Sequence, residues 1–137
     1  MNFYKTATLS ARIYLGFCAF CLAYLSLLSL ANPQATMDFV QVELTNNDAI
    51  SSIRGIYGGV GLSITVAIVY LLFKDIRMGL GFLILFWGAY AISRLITLIA
   101  DGPLGDFGSQ WLLMESVFCV LAVGLYAFYH RSLAPGA

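Results

Sequence analysis

The sequence predicts an all-α integral membrane protein, a four-helix bundle with its N-terminus and C-terminus in the cytoplasm. Three observations carry that expectation. The chain of 137 residues is 61% hydrophobic and 10% charged, with a mean hydropathy of +0.88, whereas an ordinary soluble domain carries about 25% charged residues. Four apolar runs recur along it, and a bilayer core roughly 30 Å thick takes about 20 such residues per helix, so four spans use nearly the whole length as one transmembrane domain. The Lys and Arg between the runs gather on one side of the alternation.

The first run follows Lys5 and Arg12 and is uncharged from Ile13 to Ala31. Ser29 and Ala31 mimic a signal cleavage site, but signal h-regions run only about 7 to 15 residues, so residues 12–31 are expected to span. Asn32 and Pro33 end the helix. Residues 32–48 form the longest loop, an outer one that carries Asp38, Glu43 and Asp48 and no base. Within it Met37, Val40 and Leu44 fit helical spacing while Val40, Val42 and Leu44 fit a strand, which defines an interfacial segment. Asn47 or Asp48 caps the next helix.

The second span, 49–73, places a small residue at every fourth position: Ser51, Gly55, Gly59, Ser63 and Ala67. Such a stripe lets helix backbones approach where lipid supplies no hydrophobic drive, so Gly55, Gly59 and Ser63 are expected at a helix contact, widened by Gly58 and Gly61. Lys74, Asp75 and Arg77 make a tight turn into the third span, 78–100. The loop DGPLGDFGS from Asp101 to Ser109 is rich in breakers and acidic, and the fourth span is 110–130.

Lys5, Arg12, Lys74, Arg77 and Arg131 flank one side and the other side's loops hold no Lys or Arg. The positive-inside rule makes the basic side cytoplasmic. Trp111, Phe107 and Phe39 suit the outer interface, and Phe128 and Tyr129 the inner one. Seven basic residues balance seven acidic ones, which leaves no field for nucleic acid. Cys18, Cys21 and Cys119 fall inside apolar runs and read as small buried hydrophobes; the C-x-x-C has no redox or metal context. His130 is the only histidine, so no metal site and no Ser/His/Asp constellation is expected.

Three ionisable residues lie inside the spans: Arg54, Arg94 and Glu115. A charge at a helix centre costs roughly 2.5 to 3.5 kcal/mol on insertion scales, so such residues turn inward and pair. At ~1.5 Å per residue from the cytoplasmic ends, Arg54 rises ~28 Å, Arg94 ~24 Å and Glu115 ~22 Å. All three reach one layer near the outer face, and helices packed about 8 to 10 Å apart would let them meet. The expectation is an Arg54, Glu115, Arg94 cluster, formally +1, completed by Asp48 or Asp101, by the Tyr57 hydroxyl, or by an external anion, lipid headgroup or polar ligand. The cluster either staples helices together or binds something.

The stretch IRGIYGGVGL at Ile53 to Leu62, Arg94 in AISRLITLIADG and Glu115 in LLMESV resemble a bacterial membrane family known as a domain of unknown function, DUF4345. The resemblance covers roughly residues 10 to 130 and rests on Arg54, Tyr57, Gly58, Gly59, Arg94 and Glu115. It implies four helices and a multi-pass place in the bacterial cytoplasmic (inner) membrane, and it brings no activity with it.

Three functions fit. The first is a noncatalytic accessory subunit or a module binding lipid or another amphiphile, needing no cofactor, with membrane lipids and other membrane subunits or further copies of itself as partners. The second is a membrane-embedded enzyme on an apolar substrate with Glu115, held ionised by arginines, as its base. The third is an oligomeric small-molecule transporter like the four-helix multidrug exporters, but their essential Glu lies in the first helix, where this chain has no acid between Ile13 and Ala31.

Overall fold

The computed structural model describes residues 3–133, so the two chain ends assigned above to the cytoplasm lie outside the described residues. Over that range the chain is all-helical. Its elements are α1 (Phe3–Ala31), α2 (Pro33–Asp38), α3 (Asn47–Ile53), a π-helical segment (Arg54–Val60), α4 (Gly61–Lys74), α5 (Ile76–Ala100) and α6 (Asp106–Ser132). Four stretches are long and apolar enough to cross a bilayer: Phe3–Ala31, Asn47–Lys74, Ile76–Ala100 and Asp106–Ser132. The chain divides into two compact units, Leu15–Phe73 on one hand and the residues up to Tyr14 and from Lys74 onward on the other.

In the Leu15–Phe73 unit, α1 runs antiparallel to the α3, π and α4 stretch. A Cβ on Gly16 would lie 3.6 Å from Leu72, and Gly58 abuts Leu30. The α1 helix ends at Ala31, and the side chain of Asn32 accepts from Ala35 N and caps α2, with Pro33 in the first helical position where its missing N–H costs nothing. The loop expected over 32–48 thus begins with a helical turn. Ser29 and Thr36 share a buried 2.7 Å hydrogen bond. Gln34 donates to Asp38 and to Val42 O and accepts from Leu44 N, which orders the rest of the connection. The helix cap at α3 is Asn46, accepting from Ala49 N at 2.8 Å, one residue before the expected Asn47 or Asp48.

The π segment changes which glycines face α1. Gly58 is buried, and a Cβ there would lie 2.7 Å from the Leu30 side chain and 3.2 Å from its backbone nitrogen. A Cβ on Gly61 would collide with the Ser26 hydroxyl. Thr65 and Ile68, both buried, continue that contact. Gly55, Gly59 and Ser63 are exposed, and a Cβ on either glycine would meet nothing within 4 Å. Within the unit, therefore, the expected every-fourth stripe is replaced by Gly58, Gly61, Thr65 and Ile68. A straight α-helix carries a fixed face forward, whereas each widened π turn shifts the following residues around the axis.

In the second unit α5 and α6 form an antiparallel hairpin, evident from partners that converge in number toward their loop: Arg77 with Tyr126, Ile84 with Cys119, Arg94 with Glu115. Asp75 caps α5 by accepting from Met78 N at 2.9 Å. At the other end Asp101 is the C-cap and Gly102 takes φ +106°, the left-handed turn that glycine adopts without a Cβ penalty. The buried faces are Ile76, Gly79, Leu80, Leu83 and Trp87 on α5, and Glu115, Ala122 and Tyr129 on α6. The start of α1 joins them. Phe3 meets Phe128 edge-on at 4.9 Å and Tyr4 lies 6.3 Å from Tyr129, so the helix begins at Phe3, well before the span expected from residue 12. Tyr14 donates from its hydroxyl to Phe118 O at 2.6 Å.

Candidate functional site

Glu115, Ala122 and Tyr129 stand seven residues apart, two helical turns, and so share one face of α6. Arg94 repeats Trp87 at the same spacing on α5. The hairpin brings these faces together, and Arg94 meets Glu115 side-on: Nε to Oε2 is 2.7 Å and the second nitrogen, Nη2, reaches Oε1 at 2.9 Å. Glu115 is 2% exposed; the Arg94 side chain retains 22%. Two parallel charge-assisted bonds are the strongest form of this pair, and the pair as a whole is neutral. The Phe107 ring, tilted against Trp111 with centroids 5.9 Å apart, lies 6.0 Å from the Arg94 guanidinium carbon and offers it a cation–π face.

One turn along α6, Phe118 stacks on Trp87 with centroids 5.0 Å apart. The indole nitrogen of Trp87 is buried with no hydrogen-bond partner among the described residues. Cys119 contacts Ile84 O at 3.6 Å; of the three cysteines expected to be buried, Cys18 is buried, Cys119 half-buried and Cys21 exposed, because Cys21 falls on the outward side of α1. Among the described residues no group of three or more His, Cys, Asp or Glu converges on a metal position.

Arg54 belongs to the other unit, where it opens the π segment. Its Nε donates to Leu30 O at 3.0 Å. The last four carbonyls of a helix have no partner within it, and α1 ends at Ala31 without a basic residue in its last turn. Arg54 satisfies one of those carbonyls and sets a positive charge against the negative end of the α1 dipole. The close approach at Gly58 is what brings Leu30 within reach. Tyr57, half-buried, follows within the same segment. Asp48 lies exposed in the first turn of α3 and Asp101 exposed at the end of α5; neither takes part in an ion pair among the described residues.

Of the expected cluster, then, Arg94 and Glu115 are brought together, and Arg54 finds a backbone carbonyl within its own unit. Side-chain reasoning missed Leu30 O, because a carbonyl has no sequence signature beyond its place at a helix end. It also missed Trp87, whose spacing of seven from Arg94 was the available signal.

The fold and site define a class: an all-helical protein with four helices long and apolar enough to cross a membrane, two of them joined by a half-buried arginine on a buried glutamate. The chain belongs to the family described as a domain of unknown function, DUF4345, which matches over residues 10–126. No curated protein and no solved structure matches it.

Proposed function

We propose that the chain is a multi-pass protein of the bacterial cytoplasmic membrane with both ends in the cytoplasm, and that it is a noncatalytic accessory or amphiphile-binding module. One observation carries the noncatalytic part. Both oxygens of Glu115 are occupied by Arg94 and the carboxylate is 2% exposed, whereas a general base must reach the proton it takes. Arg54 and Tyr57, which belong to the same unit as the groove below, are the handle for the polar end of the amphiphile. Support for an apolar tail comes from a groove of about 320 Å³ lined by Gly16, Ala19, Phe20, Ala23, Val69 and Phe73, since ligand sites are mostly apolar walls with a few placed polar groups.

The test has two parts. Single cysteines at Val42 and Leu133, in a background without Cys18, Cys21 and Cys119, are labelled in intact cells: the first reacts with a membrane-impermeant reagent and the second only after lysis. Mass spectrometry of the protein purified in native lipid then finds an amphiphile that is lost in Arg54→Gln. Labelling of both sites from outside refutes the topology, and a preparation free of bound amphiphile refutes the binding role.

A further inference from the structure

The end of the second unit opposite the Arg94–Glu115 pair concentrates positive charge. The start of α1, the start of α5 and the end of α6 meet there, held by Phe3 on Phe128, Tyr4 beside Tyr129 and Arg77 on Tyr126. They present Lys5, Arg77, His130 and Arg131, all exposed. The one acid in this group of elements' ends, Asp75, is committed as the α5 cap.

Arg77 is the fixed member. Its Nε donates to the Tyr126 hydroxyl at 3.0 Å and its guanidinium carbon lies 5.6 Å from that ring's centroid. Tyr126 in turn stacks on His130, with planes 17° apart. One edge of the guanidinium is thereby anchored, and its terminal nitrogens have no hydrogen-bond partner among the described residues. A pre-oriented planar fork matches phosphate oxygens in a way that a freely moving side chain does not.

We propose that this end binds the phosphate headgroup of an anionic phospholipid, with Arg77 as its central ligand and Lys5 and Arg131 as flanking charges. A lipid fits better than a soluble phosphate because apolar surface continues from the charged end: Met78 and Leu85 on α5 and Val120 and Val123 on α6 are all exposed. Tyrosines among the cations are the amphipathic groups that lie at headgroup depth. Basic side chains between helices on the cytoplasmic side are the general means of holding anionic headgroups. The inference rests on the membrane reading above and is independent of what Arg54 binds.

The experiment compares lipid retention by native mass spectrometry after incubation of the detergent-solubilised protein with phosphatidylglycerol and phosphatidylcholine. Wild type retains phosphatidylglycerol preferentially. The triple variant K5Q/R77Q/R131Q loses about fivefold in that preference for each charge removed, with its circular dichroism unchanged because all three side chains are exposed. Inorganic phosphate in excess leaves the bound lipid in place. Equal retention of both lipids by wild type, an unchanged preference in the triple variant, or displacement by inorganic phosphate each overturns the proposal. Failure of the membrane reading looks different: the wild-type protein is then recovered from cells in the soluble fraction.

Discussion

Glu115 and Arg94 each depend on the other more than on the surrounding apolar wall. Glu115→Gln removes the counter-charge of a half-buried guanidinium and costs about 3 kcal/mol, the scale of breaking one side of a buried pair. Replacing both by Gln and Met costs less than either single change, because no unpaired charge is left behind. Unfolding in mixed micelles of the two singles and the double measures the cycle, and strictly additive losses contradict the pairing. The glycines divide in the same way. Gly58→Ala drives a methyl into Leu30 and costs about 1 to 3 kcal/mol. Gly55→Ala and Gly59→Ala fill open space and each gain about 0.5 to 1 kcal/mol from reduced backbone freedom. A melting curve for each in one detergent separates the two classes, and a Gly58→Ala protein as stable as wild type removes the close contact.

The elements show which features a chain announces and which depend on tertiary fit. The long apolar runs were legible because hydrocarbon-compatible length is a property of composition, and the turn at Lys74 and Asp75 because charge interrupts it. The π segment was not legible, since a search for period 3.6 presumes the geometry that the segment abandons; four glycines in the seven residues from Gly55 to Gly61 marked the place without stating the outcome. The caps are individually testable. Asp75→Ala removes the acceptor for Met78 N and costs about 1 kcal/mol, read as a lower unfolding midpoint with unchanged helical content. Asp75→Asn keeps an acceptor and recovers most of that loss. No recovery means that Asp75 acts by its charge and not by capping.

At the scale of the molecule, the DUF4345 chain places four charged residues well inside its long helices: Arg12 is exposed on α1, and Arg54, Arg94 and Glu115 are settled by two different devices. The ion pair was foreseeable, because Arg94 and Glu115 are each too costly alone in an apolar run. The capping role of Arg54 was not, because the acceptor is a backbone atom whose availability depends on where α1 stops. Tyr14→Phe tests how far the start of α1 is tied to the hairpin: it removes the bond to Phe118 O and costs about 1 kcal/mol. A loss no larger than experimental error leaves the aromatic contacts of Phe3 and Tyr4 as the main tie.

The Arg94–Glu115 pair also bears on how the chain is made. A ribosome delivers Arg94 first and Glu115 21 positions later, so for that interval the cation has no counterpart to neutralise it. Released singly into the bilayer, α5 would carry a bare guanidinium; retained at the translocation channel until α6 emerges, it leaves already matched. On the proposed membrane reading, the pair therefore favours entry of the two helices together, as a preassembled hairpin.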